Sequence, residues 1–194
     1  TKDGKARPLD CVILGTGFIV DPRIYMKSFE LRGLNGHTIQ EDWKVSPTAY
    51  LGITAANYPN MYQLVGPHTG LGHNSIIFMI EAQADYIVNC VKLLQAKGGG
   101  YLDVKEEAQN RFLGEMTQAL KGTVWDSGCK SWYQTAEGIN FAIWPKSTWR
   151  YWLATRKVNE ADYRFVKCAG QGTVGATGAQ PGAGAQAMAP TAAR

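Results

Sequence analysis

The stretch from Ile76 to about Ala96 constrains this chain most: Ile76, Ile80, Ile87, Val91 and Leu94 recur at helical spacing, and Phe78, Met79 and Val88 widen the stripe. A helix this apolar is expected to be nearly buried, so the rest of the chain has to wrap it. Its start is marked by His73-Asn74-Ser75, residues suited to capping, and its end by Gly98-Gly99-Gly100. Ahead of it, Met61 to Val65 reads as a strand that stops at Gly66-Pro67. Behind it, a second helix is expected from Asp103, with Glu106 at capping-box spacing, to Gly122, its inner face being Val104, Ala108, Phe112 or Leu113, Met116 and Leu120.

Cys11-Val12-Ile13-Leu14, ending in Gly15-Thr16-Gly17, has the pattern of a buried parallel strand followed by a tight turn. Asn35-Gly36 predicts a hairpin within Leu31 to Ile39. Two further strands, Cys129 to Thr135 and Ile139 to Trp144, are expected around Ala136-Glu137-Gly138, followed by an aromatic, basic segment with Trp149, Tyr151 and Trp152. This order describes one half of an α/β nucleotide-binding domain with an appended helix and hairpin. At 194 residues and 45% hydrophobic, one such domain fits. We place it at residues 1–168; from 169 to 194 only small and polar residues, Pro, one Val, one Met and Arg194 remain, and that tail is expected to be disordered.

The net charge of +4 comes from dispersed basic residues, which argues against a nucleic-acid partner. No apolar run reaches the length of a membrane span. The absence of a secretory leader leads us to expect a cytoplasmic protein, and a chain that opens on Thr1 reads as an excised piece. Cys11, Cys90, Cys129 and Cys168 are far apart and lack metal-ligand spacing, so they are expected to be reduced and mostly buried, with no metal.

The sharpest chemical feature is the loop Gly66-Pro67-His68-Thr69-Gly70-Leu71-Gly72-His73-Asn74-Ser75. The unpaired N–H groups of the helix behind it carry a partial positive charge that favours an electron-rich group, either a phosphate or the pyrimidine edge of a flavin. A plain connection without a ligand has the same form. Gly15-x-Gly17 fails as a dinucleotide fingerprint, because Val20 stands where a third Gly is needed and Asp21-Pro22 follows in place of a helix. His37, His68 and His73 have no carboxylate at a recognisable spacing, and no catalytic residue emerges from them. Glu81 and Gln83 sit inside the apolar helix, where a buried carboxylate is costly, so Glu81 reads as structural. Trp132-Tyr133 is able to stack on a planar ligand or to pack in the core.

Several segments stand in a telling order: Asp10-Cys-Val-Ile-Leu-Gly-Thr-Gly-Phe18, Tyr50-Leu-Gly-Ile-Thr54, Tyr58-Pro-Asn60, the loop from Gly66 to Ser75, Phe78-Met-Ile-Glu-Ala-Gln83, Gly128-Cys-Lys-Ser-Trp-Tyr133 and Trp144-Pro145. Together they resemble the C-terminal part of the flavin-containing and Baeyer-Villiger monooxygenases. The resemblance implies part of an FAD-binding Rossmann-like domain from an enzyme with two dinucleotide-binding domains. It implies FAD and NADP as cofactors, molecular oxygen and a ketone, amine or sulfide as substrates, and the remaining N-terminal half as partner.

It further implies that Gly15, Thr16 and Gly17 form a turn near the FAD, with Gly15 where the family has Ala. The loop Gly66, Pro67, His68, Thr69, Gly70, Leu71, Gly72, His73, Asn74 and Ser75 would close over the flavin. Trp132, with Tyr133, would face NADP and substrate. The family's N-terminal Gly-x-Gly-x-x-Gly unit that holds the FAD pyrophosphate, its NADPH domain and its fingerprint Phe-x-Gly-x-x-x-His-x-x-x-Trp are not found in this stretch. The isolated chain is therefore expected not to turn over. The alternative is a non-catalytic structural or interaction remnant of the same fold; a stand-alone nucleotide-binding module is a weaker third.

Overall fold

A computed structural model describes residues 2–15, 20–128 and 131–167. Thr16, Gly17, Cys129, Cys168 and the tail read as disordered lie outside the described residues.

Two short helices come first. In α1 (Pro22–Tyr25) the Asp21 carboxylate accepts from Arg23 N and Pro22 supplies a preset φ at the first position. In α2 (Ile39–Asp42) Thr38 and Glu41 cap each other reciprocally. The long helix α3 (Ile76–Ala96) is followed by β1 (Tyr101–Val104), α4 (Glu106–Leu120), α5 (Thr148–Thr155) and β2 (Tyr163–Val166). β1 and β2 pair antiparallel, with Tyr101 opposite Val166 and Val104 opposite Tyr163, and close the chain's C-terminal end onto its middle.

The main core gathers Met79, Tyr86 and Cys90 of α3, Leu102 and Val104 of β1, Phe112 and Met116 of α4, and Trp144, Tyr151 and Tyr163. Burial of each large side chain contributes about 1.5–3 kcal/mol. A smaller core forms around Ile39, Trp43, Ala55 and Tyr58. Polar groups inside the main core are matched over long sequence distances. Gln83 Nε2 donates to Tyr151 Oη at 2.9 Å, and Tyr151 Oη donates to the Leu51 carbonyl at 2.6 Å. The hydroxyls of Tyr86 and Tyr163 lie 3.0 Å apart, and Tyr50 donates to Asp162 at 2.8 Å.

The α/β class and the bounds of the long helix agree with the sequence reading; several finer expectations do not. Cys11 to Leu14 is not a buried strand: Ile13 is 91% exposed, because no described strand lies beside it to pair with. Cys11 is exposed, whereas Cys90 is buried and its thiol pKa is pushed up to about 12 by burial. Met61 to Val65 is irregular backbone, and the expected hairpins survive only as single bridges, Arg32 with Thr38 and Gln134 with Asn140. α3 buries Met79, Ala82, Gln83, Tyr86 and Cys90, a face turned from the expected stripe, so Val88, Val91 and Glu81 are exposed.

The second helix starts at Glu106. Asp103, expected to cap it, is instead a buried β1 residue that pairs with Arg164 and accepts from Asn57 N at 2.9 Å. No helix among the described residues is long and apolar enough to cross a membrane.

Candidate functional site

The loop from Gly66 to Gly72 is held by its backbone. His68 N donates to the Phe141 carbonyl at 2.7 Å and Gly70 N to that of Ala142 at 2.7 Å, while Trp144 N donates to Gly70 O at 2.9 Å. Gly70 and Ile143 thus form a parallel bridge that ties the loop to the segment following Trp132. The contact requires glycine, since a Cβ on Gly70 would sit 2.8 Å from the Ala142 carbonyl oxygen. A Cβ on Gly66 would strike the carbonyl of Gly52, whose own φ of +66° and contact with Thr69 exclude a side chain.

Val65 has a φ of 55°, a conformation costly for a β-branched residue. It is fixed from α3: Val65 N donates to Oε1 of the fully buried Gln83 at 2.9 Å. His68, at φ 60° and 5% exposed, puts its ring edge-on to Phe112, and burial lowers its pKa to about 4. It is therefore a neutral packing residue at neutral pH. Thr69, also buried, donates to Gly66 O at 2.6 Å.

These constraints shape one wall of a cavity of about 860 Å³. Gly66, Pro67, Gly70, Leu71 and the helix-start residue Ile76 line one side, Trp132, Phe141 and Ala142 another, and Met26, Phe29 and Leu31 a third. Among the described residues no charged side chain lines it. Trp132, 54% exposed, packs tilted on Tyr133 with ring centroids 3.8 Å apart, and Tyr133 meets Trp125 edge-on at 5.1 Å. Among the described residues three buried side-chain atoms find no hydrogen-bond partner: Tyr62 Oη, Gln63 Nε2 and Asn140 Nδ2. Tyr62 and Gln63 line this cavity, and Asn140 precedes Phe141, which also does.

The structure thus brings Gly66, Pro67, Gly70, Leu71 and Trp132 together out of the residues singled out from the sequence. His68 and Thr69 lie behind the wall, and Gly72 packs against Trp125. His73, Asn74 and Ser75 are exposed; Asn74 Nδ2 donates to Thr148 Oγ1 at 2.9 Å, and Ser75 occupies the cap position of α3 without a side-chain cap bond. Gly15 is exposed with open space around it, and Thr16 and Gly17 lie outside the described residues.

His37 does have a carboxylate partner, Asp42 Oδ1 at 3.0 Å from Nδ1, brought near by the turn into α2. Among the described residues no group of three or more His, Cys, Asp or Glu is placed to hold a metal. Sequence reasoning missed Met26, Phe29, Tyr62 and Gln63 as lining residues; the run Met61-Tyr62-Gln63-Leu64-Val65 read as a strand, in which alternate side chains would have been assigned to a sheet.

No family model matches the chain. It is 37% identical to a Baeyer-Villiger monooxygenase of Pseudomonas aeruginosa over 84% of this chain and 31% of that enzyme. It is also 37% identical to one of Streptomyces coelicolor, over 94% of this chain and 35% of the enzyme. The chain thus spans about a third of the length of these relatives. Among solved structures, cyclohexanone monooxygenase from Rhodococcus sp. Phi1 bound to NADP+ matches with a TM-score of 0.66 at 24% identity, over 80% of this chain and 29% of that one. An oxidized steroid monooxygenase bound to NADP matches at 0.64 and 22%, over 74% and 27%. The resemblance read from the ordered segments is borne out: the chain is related to part of a Baeyer-Villiger monooxygenase and shares the fold of that part.

Proposed function

We propose that this chain is the C-terminal section of an FAD- and NADPH-dependent monooxygenase of the Baeyer-Villiger type, and that it supplies the wall facing the flavin ring. The observation that carries the reading is the cavity between the Gly66–Gly72 loop and Trp132. Its size suits a planar tricyclic ring. The described part of its lining is uncharged and suits an apolar ring face, and the unpartnered amide of Gln63 suits a ring that carries carbonyl groups. Relatives support the cofactors: one is called an FAD-binding monooxygenase, and a structural neighbour, OTEMO, was solved with FAD and NADP.

FAD, when bound and reduced by NADPH, supplies the oxygen-activating chemistry that places one oxygen atom on a ketone, amine or sulfide. The chain's own residues do the positioning. Gly66 and Gly70, held against Gly52 and Ala142, present backbone along the cavity wall. The first turn of α3, which Ile76 brings to the cavity, presents unpaired N–H groups worth about 0.3–1 kcal/mol to an electron-rich edge. Leu71, Phe141 and Trp132 exclude water, and Trp132, with Tyr133 packed on it, stands toward NADP and substrate. No Gly-x-Gly-x-x-Gly stands in residues 1–167, and its one match in spacing, Gly170-x-Gly172-x-x-Gly175, lies in the Ala/Gly-rich tail, so the grip on the FAD pyrophosphate is assigned to another part of the enzyme.

A chimera tests this. The matching third of the Pseudomonas aeruginosa relative is replaced by this chain, and ketone-dependent NADPH oxidation is measured. Activity is expected; a folded chimera that binds NADP yet fails to retain FAD contradicts the reading. The isolated chain mixed with FAD and NADPH under air is expected to show no flavin-dependent NADPH oxidation.

A further inference from the structure

The three unpartnered buried polar atoms are not scattered: all belong to residues in or next to the cavity wall. Tyr62 has the Cys90 thiol, a weak acceptor, as a neighbour. Gln63 is the stronger case. Among the described residues it contributes a primary amide to a lining otherwise made of apolar side chains, glycines and one phenol, and its Nε2 has no acceptor there. A buried donor left unpaired carries a desolvation penalty of about 1–3 kcal/mol, which an acceptor brought by a bound molecule would relieve.

Gln63 is also anchored. Its backbone N donates to the Ile53 carbonyl at 2.9 Å, and the missing Cβ of Gly66 makes room for the stem: an added Cβ there would lie 2.7 Å from Gln63 Cδ and 2.9 Å from Cγ. Only the terminal amide has freedom. Its χ3 is a torsion with broad wells, so a turn that brings the NH2 to the cavity breaks no hydrogen bond of Nε2.

We propose that Gln63 is a positioning and specificity residue of this cavity, its Nε2–H donating to a carbonyl oxygen of the uncharged molecule held there. The inference rests on the reading of the cavity as a ligand site. Two sources offer the same acceptor, the pyrimidine ring of the flavin and a ketone substrate, and they are separated by separate titrations. The purified chain is titrated with riboflavin, followed by flavin fluorescence, and with cyclohexanone carrying a 13C carbonyl, followed by the carbonyl chemical shift.

Gln63→Leu and Gln63→Glu both remove the donor at similar size. The expected result is an affinity lower by roughly threefold to tenfold for the probe whose carbonyl is bonded. For Gln63→Leu it comes with a melting temperature of the ligand-free chain equal to or above that of the wild type. That opposition of sign marks a ligand contact, since a structural hydrogen bond would lower both. Unchanged affinity for both probes in both variants overturns the role of Gln63 and leaves the cavity reading standing. A wild-type chain that binds neither probe overturns the cavity reading and this inference with it.

Discussion

The block built from α3, β1, α4, α5 and β2 and the wall around the cavity solve the same physical problem in opposite ways. Inside the block, polar groups close on one another: Gln83 on Tyr151, Tyr151 on Leu51, Tyr86 on Tyr163, Asp103 on Arg164. Along the cavity, backbone runs irregularly through Val65 at positive φ, glycines stand where a Cβ would collide, and the unpartnered polar atoms gather. The block is complete within the chain. The wall keeps its unpartnered groups, and the block holds it in shape, through Gln83 onto Val65 and Phe112 of α4 against the His68 ring.

The contrast can be broken or sharpened by substitution. Met79→Ala, at a fully buried site of α3, removes core volume and is expected to cost about 2–5 kcal/mol in urea unfolding; a loss under about 1 kcal/mol would mean that the block is not the closely packed half. Tyr151→Phe strips partners from both Gln83 and the Leu51 carbonyl and is expected to cost about 1–3 kcal/mol. No loss there would show that the long-range polar closure contributes little.

His68 links the two regions and gives a pH signature. Its folded pKa of about 4 lies below the ordinary 6.5, so the unfolded chain takes up the proton first. The stability it contributes is full above pH 6.5 and is lost as pH falls toward 4, with a slope of at most about 1.4 kcal/mol per pH unit. His68→Asn, which tolerates the positive φ, is expected to remove that part of the slope in stability measured from pH 7 to 4. The smallest effect on stability is expected for Trp132→Ala, within about 0.5 kcal/mol for an exposed side chain. The same change is expected to weaken riboflavin quenching, so a variant that unfolds easily but binds normally would place Trp132 with the block.

What was legible in the sequence follows the same division. The bounds of α3 were readable because an apolar periodic run meets Gly98 at one end and polar loop residues at the other, all local signals. The inner face of α4 was readable for the same reason. Asp103 was misread because its partner, Arg164, lies 61 residues away and arrives only when β2 pairs with β1. β1 and β2 themselves were missed, being four residues each and recognisable only as a pair. Val12 to Leu14 shows the limit from the other side: a strand pattern is a statement about neighbours, and the described residues supply none. At the site, the glycines and Trp132 were visible by residue type, whereas Gln63 was not, because an orphaned amide is a property of surroundings.

The account's central claim, that the cavity bounded by the Gly66–Gly72 loop and Trp132 receives the flavin ring, is tested most directly by adding FAD to the 15N-labelled chain and following its amide and indole signals. The account predicts shifts concentrated at Gly66, Gly70, Leu71, Ile76 and the Trp132 indole. Shifts confined to the separate pocket that Asp85 and Lys92 of α3 line with Trp152 and the adjacent Arg156, with those signals unmoved, would contradict it.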